Sequence, residues 1–194
     1  MTEFELKIKA TRDYVDYIEN HYNNVQKAFK EFTRRSCNPI CSKKYDEFMW
    51  QTKLYDDYSF FVLEEMIKNH DLSKLNKEEF TQYRDNFFPL NEEAKKANKE
   101  EFEKAWEHHK QVNAHHWQSR VDKKYNENLP VFLRELYLIE NVMDWIAMAY
   151  AFNETPINKY YLENKHKMQL SGHDTLIIED VYNIMLDKDL EVQE

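Results

Sequence analysis

Glycine occurs once in 194 residues, at Gly172, and proline only four times. Tight β-turns draw heavily on both, so a sheet protein with many hairpins is excluded. The chain must be mostly long helices joined by short polar loops. A single glycine also rules out a glycine-rich phosphate-cradling loop. Cysteine is scarce too. Cys37 and Cys41 sit in one polar segment with no second thiol pair, so a structural zinc site is not expected and free thiols in a reducing compartment are the reading. No apolar run reaches the ~18 residues that a membrane span needs. Met1 to Ala10 alternates charge without an apolar core, so no signal peptide is expected and a cytoplasmic location follows. Positive charge is in deficit, with 27 Lys and Arg against 36 Asp and Glu, a net charge of −9. Such a surface repels phosphate backbones and disfavours general nucleic-acid binding. A small phosphorylated ligand remains open if a metal or lysine supplies local positive charge.

What is present is apolar and aromatic: 42% of residues are hydrophobic and 15% aromatic. That suffices for one domain with a sizeable core. No repeat, low-complexity tract or linker divides it, so residues 1–194 read as a single all-α domain of about six or seven helices. Helical spacing predicts a first helix from about Glu3 to Arg35, with Tyr14, Tyr17/Ile18, His21, Val25, Ala28/Phe29 and Phe32 facing inward. A second is expected over Tyr45 to Asn69, with Tyr55, Tyr58, Val62 and Met66 inward and His70 at its end. Asn76 with Glu79 three residues on predicts a capped third helix carrying Phe80, Tyr83 and Phe87. A further amphipathic segment carries Phe102, Ala105/Trp106, His109 and Val112. Gln118 to Asn128 reads as loop. Pro130 opens a strong helix with Phe132, Leu136, Ile139, Met143, Ile146 and Tyr150 inward. Two shorter helices are expected near Ile157 to His166 and Thr175 to Leu186.

The chemistry concentrates at His70-Asp71-Leu72-Ser73-Lys74. A neighbouring imidazole and carboxylate at a helix end can point at one spot, and nitrogen with oxygen ligands suits Mn, Fe, Co, Ni or Zn. Two ligands hold a metal poorly, so others must come from elsewhere. His21 faces inward, and Asp144 has the small Ala147 and Ala151 one and two turns on. The cluster His108-His109…His115-His116 offers more imidazoles. His109 lies on the apolar stripe, and His116, two turns on, shares that face if the helix continues. The other register, His108 with His115, stays open, because the helix can end near Asn113. His173-Asp174 repeats the dipeptide without a following lysine, and Asp174 reads as a helix N-cap. Trp50, Trp106, Trp117 and Trp145 read as core or pocket wall.

The order His…His-Asp…Asp resembles the HD superfamily of metal-dependent phosphohydrolases, over roughly Asp13 to Phe152. The resemblance implies a metal site of His21, His70, Asp71 and Asp144, with Lys74 placed to contact phosphate. In dinuclear members, intervening histidines hold a second metal, here His109 and His116 by preference. Closer still, His70 to Lys74, Glu79-Phe80 with Tyr83, Ala105 to Trp117 and Asp144-Trp145 resemble a small HD-like family common in bacteria and their phages, one without an established reaction.

The expectation is therefore a metal-dependent phosphohydrolase for a small phosphorylated molecule such as a nucleotide. It would use one or two divalent transition ions, with Lys74 and Asp71 as the catalytic pair. An oxygen-activating di-iron enzyme and a non-catalytic ligand-binding protein are the alternatives.

Overall fold

The computed structural model describes residues 1–54, 56–121, 129–154 and 156–190. Among them there are ten α-helices and no strand. The architecture is all-α, with more helices than expected because two segments break into short pieces.

Helix α1 (Glu3–Ser36) is 34 residues long and opens with a capping box, Thr2 accepting from the Glu5 amide while Glu5 reaches back to Thr2. Its inward stripe, Tyr14, His21, Val25, Ala28 and Phe32, is buried as the periodicity predicts. The segment from Ser36 to Lys44 is not all loop. Asn38 caps Ile40 and Pro39 occupies the first turn of α2 (Pro39–Lys44), where its missing amide costs nothing. The cysteines are both free, Cys37 exposed and Cys41 buried.

The single helix expected over Tyr45 to Asn69 is a correction. It is divided into α3 (Asp46–Gln51) and α4 (Asp57–Lys68). Lys53 takes a left-handed conformation (φ 54°), Leu54 turns into the core, and Asp56 caps the restart through the Tyr58 amide. The buried face of α4 is Ser59, Leu63 and Ile67, one position on from the expected stripe, and Tyr58 is exposed. Tyr55 lies outside the described residues.

After α4 a 3₁₀ turn (Leu72–Leu75) leads to α5 (Phe80–Phe87). Asn76 does not cap it and Glu79 forms no capping box. The Glu79 side chain is engaged elsewhere, as described below. Helix α6 (Glu92–Val112) ends at Asn113, and α7 (Trp117–Val121) occupies the start of the expected loop, of which residues 122–128 lie outside the described set. Helix α8 (Val131–Ala151) has twelve buried residues, including Leu136, Ile139, Met143 and Ile146. It is the central rod of the bundle and packs on α1, α4 and on α10 (Gly172–Leu186). Between them stands α9 (Lys159–Asn164). Ser171, not Asp174, is the N-cap of α10, and Asp174 completes its capping box.

Two apolar clusters result. The larger joins α1, α4, α8 and α10. The smaller is Tyr14, Tyr83 and Ala105 with Tyr17, Phe80, Phe102 and Trp106 around them, joining α1, α5 and α6. The polar residues singled out from the sequence lie where these clusters meet.

A candidate metal centre

Five elements deliver side chains to this junction. Helix α1 supplies His21 from its buried stripe. Helix α4 ends at Asn69, and Asp71 then adopts a left-handed conformation (φ 56°, ψ 18°). Asp is among the few non-glycine types that tolerate this region, and the bend carries both His70 and Asp71 inward at 4% and 5% exposure. Backbone strain of this kind concentrates at functional sites. Helix α6 supplies His109 near its end, the turn beyond Asn113 supplies His115 and His116, and α8 supplies Asp144.

Distances define two groups that share Asp71. His21 Nε2 lies 3.2 Å from Asp144 Oδ1 and 3.6 Å from Asp71 Oδ2. His70 Nε2 lies 3.6 Å from Asp71 Oδ2 and 3.8 Å from Asp144 Oδ1. On the other oxygen, His109 Nε2 is 3.1 Å and His115 Nε2 3.5 Å from Asp71 Oδ1. Ligand atoms of His21, His70 and Asp144 all fall within 4.8 Å of one another, as do those of Asp71, His109 and His116.

The other ring nitrogens are held by two glutamates the sequence reading passed over. Glu140 accepts from His70 Nδ1 at 2.9 Å and lies 3.3 Å from His115 Nδ1. Glu79 accepts from His109 Nδ1 and His108 Nδ1, both at 2.7 Å, and from Ser73 Oγ at 2.9 Å. Burial works against both carboxylates ionising, but their histidine partners outweigh it and hold both pKa values below the usual range. Ionised Glu79 and Glu140 accept hydrogen bonds from Nδ1, which leaves Nε2 of His70, His109 and His115 as the nitrogen turned to the junction. This carboxylate–imidazole arrangement is the usual support of metal-ligating histidines.

Buried polar atoms normally find hydrogen-bond partners. Here both ring nitrogens of His21, Nε2 of His70, Nε2 of His116 and Oδ1 of Asp71 are buried without one. A cation at the junction would satisfy most of them together, so the donor set fits a metal.

The carboxylates make the junction a place that favours positive charge. Burial opposes charge on His70, yet Asp71 and Glu140 lift its pKa to about 9. Burial would raise Asp71 and Asp144, but Lys74 and the histidines around Asp71, and His21 and His70 around Asp144, hold both low. Burial, with His115 and His109 nearby, pushes His116 well below the ordinary imidazole value and keeps it neutral, the form that ligates. Lys74 Nζ is 2.6 Å from Asp71 Oδ2. Burial disfavours its charge, but Asp71 outweighs that and keeps it an ammonium.

A cavity of about 360 Å³ reaches the junction, walled by Tyr17, Lys74, Tyr83, Phe102, Trp106 and Met148 and floored by His21, Asp71, His109, His116 and Asp144. Among the described residues that line it, Lys74 is the one lysine or arginine. A pocket of about 390 Å³ adjoins it past His116 and Asp144, with Trp106, Trp117, Trp145 and Tyr160 on its walls.

The structure thus brings His21, His70, Asp71, Lys74, His109, His116 and Asp144 together. His108 stands apart, half-buried on Glu79. His115, set aside in favour of the other register, points into the junction. The two-turn argument for His116 does not hold, because α6 stops before it. The chain folds back after Asn113, whose Nδ2 donates to Ser73 Oγ at 2.8 Å, and this turn brings the His116 ring to 4.8 Å from that of His109. His173 lies elsewhere, 2.9 Å from Glu135.

No curated protein and no solved structure matches the chain. A family model described as a family of unknown function (DUF5662) matches residues 10–184, which takes in every element of the junction. The chain belongs to that family.

Proposed function

We propose that the chain is a metal-dependent phosphohydrolase of the HD type, acting on a small phosphorylated molecule such as a nucleotide. The observation that carries this reading is the position of Asp71: each of its carboxylate oxygens faces a separate group of imidazoles, and one also meets a buried lysine. His21, His70, Asp144 and Asp71 would hold one divalent ion. Asp71, His109 and His116, with His115 adjacent, would hold a second. Such ions lower the pKa of water and polarise a phosphoryl group.

The chain's own residues supply the rest. Lys74 presents an ammonium at the cavity wall beside Asp71, where it can neutralise charge gathering on phosphate oxygens. Tyr17, Phe102 and Trp106 give an apolar wall for the organic part of the substrate and limit water. Glu79 and Glu140 fix the rings of His70 and His109 so that no reorientation is needed during turnover.

The test combines elemental analysis with a screen of phosphate esters. The expected result is one or two transition ions per chain and a metal-dependent release of inorganic phosphate that Lys74→Ala removes. Equally low metal in wild type and His70→Ala after reconstitution with Mn, Fe, Co, Ni and Zn would end the proposal.

One observation favours a second reading. Five imidazoles against two carboxylates, beneath a largely aromatic cavity, also suit a di-iron enzyme that activates oxygen. Bound iron with oxygen consumption and no phosphate release would select it.

A further inference from the structure

The pocket of about 390 Å³ beside the junction is walled by five aromatic side chains, Trp106, Trp117, Trp145, Phe152 and Tyr160. Trp145 and Tyr160 form a corner, their ring centroids 5.7 Å apart and their planes inclined at 48°. Gln118, Asp144 and Glu154 lie among the rings. Gln118 Oε1 is buried without a hydrogen-bond partner, and an acceptor left so is costly. Asp144 belongs to the candidate metal centre, so Glu154 is the carboxylate left to the pocket. The ending of α8 brings it there. Asn153 turns left-handed (φ 50°), and the Glu154 amide donates back to the Ala149 carbonyl at 2.9 Å. Lys159 Nζ meets Glu154 Oε1 at 3.1 Å, with the two side chains 45% and 29% exposed, and exposed pairs hold weakly. Among the described residues that line the pocket there is no lysine or arginine. Asp144, Trp145, Met148 and Ala149 come from the last turns of α8. A helix carries partial negative charge at that end, and the last turn of α8 has no basic residue to answer it.

We propose that this pocket holds a primary ammonium group, and that the substrate is a phosphate monoester of a small amino alcohol. The proposal rests on the phosphohydrolase reading for its chemistry and deepens it by naming the far end of the substrate. An ammonium is drawn to aromatic faces, to the Glu154 carboxylate and to the negative end of α8. It also brings the N–H donors that Gln118 Oε1 lacks, which a quaternary ammonium does not. A second phosphate or a carboxylate on the ligand would meet no fixed cation here and would face Glu154. A purely apolar group would leave the Gln118 acceptor unpaired. The two cavities share Trp106, His116, Asp144 and Met148, so a molecule with its phosphate beside Lys74 extends its other end into the aromatic pocket. Lys74 then serves the anionic end and the acceptors serve the cationic end, which suits a zwitterion. In the hydrolysis, the oxygen of water bonds to phosphorus while the ester P–O bond breaks. The proton that water gives up passes to the departing alcohol oxygen, so the products are inorganic phosphate and the free amino alcohol.

Isothermal titration calorimetry of the full, metal-reconstituted chain near neutral pH compares 3-aminopropylphosphonate with propylphosphonate. The two differ only in the amine, and neither has an ester bond to hydrolyse, so the preference is read apart from turnover. The amine should bind at least about tenfold more tightly, the scale of a hydrogen bond to a charged group. Gln118→Leu should remove about tenfold of that preference, and Glu154→Gln about two- to fivefold. Glu154 lies in the turn after α8, so its variant keeps the test valid if Gln118→Leu misfolds. Equal affinity for the two phosphonates, or no binding of either, overturns the proposal. So does a preference that survives both substitutions, or a trimethylammonium analogue that binds as tightly as the primary amine. The phosphohydrolase reading fails separately. Amine preference without phosphate release from any ester keeps the ammonium site and discards hydrolysis. Phosphate release with equal kcat/KM for 3-aminopropyl and propyl phosphate, or with a higher one for nucleoside monophosphates, keeps hydrolysis and discards the ammonium site.

Discussion

Lys74 is the residue on which the choice of chemistry turns. The residue is 9% exposed and its ammonium is held at 2.6 Å from Asp71, and a buried cation is tolerated only where paired. In a phosphohydrolase it would be needed most when phosphate charge develops. Lys74→Ala should therefore retain metal and lose on the order of 10²–10³ in kcat, the usual cost of one charge-stabilising donor. Lys74→Arg should recover only part, since the planar guanidinium is larger and places its charge differently. Full activity in Lys74→Ala, with metal content verified, would remove the phosphate role and shift preference to oxygen activation. The histidine cluster gives a second comparison at this scale. His109→Ala and His116→Ala should each lower metal stoichiometry, and His115→Ala should do so too, given its 3.5 Å approach to Asp71. His108→Ala should not, because its ring is turned to Glu79 at the half-exposed edge. Loss confined to His108→Ala would overturn this assignment of the four rings.

At the scale of elements, the site depends on how helices end. His70 and Asp71 converge because α4 stops at Asn69 and Asp71 turns left-handed; His115 and His116 return because α6 stops at Val112. The glutamates that hold the rings come from an unexpected cap position and from the middle of the central helix. Glu140→Gln and Glu79→Gln leave side-chain volume almost unchanged but weaken the acceptor for Nδ1. Each should reduce metal affinity by about 10–100-fold, measurable by competition with a chelator, while the metal-free fold persists. Unchanged affinity in both would mean that the rings are oriented by packing alone. The same elements show what the sequence discloses. Long amphipathic helices such as α1 and α8 are legible, because their apolar periodicity is also their packing. Asp144 is singled out by its small Ala147 and Ala151 neighbours and its place in the His…His-Asp…Asp order, and His21 is legible as a polar residue on an otherwise apolar face. Glu140 carried that signal too, four residues before Asp144 on a buried helix. Glu79 did not: a glutamate three residues after an asparagine satisfies a capping rule locally, and only the tertiary approach of α6 diverts it to His109 and His108. The break at Lys53 escaped because no glycine or proline marks it.

At the scale of the whole molecule, the junction ties together segments from residue 21 to residue 144 that are otherwise joined mainly by apolar contact. An ion bound there would find no comparable site in the unfolded chain, so its binding free energy adds to folding. With free metal at a hundredfold excess over its dissociation constant, the gain is about 2.7 kcal/mol. A chain of this length shifts its Tm by about 2–4 °C per kcal/mol, so loading should raise Tm by roughly 5–10 °C and a chelator should reverse it. The gain must depend on the junction and not on histidines at large. His70→Ala and Asp144→Asn each remove a ligand from the His21 side and should abolish most of the shift, whereas His173→Ala, which removes an imidazole bound to Glu135 away from the junction, should leave it intact. Differential scanning calorimetry of the four proteins, with and without each candidate metal, separates the cases. An equal shift in all four would mean that metal binds the surface, and the junction would then be a polar core without an ion.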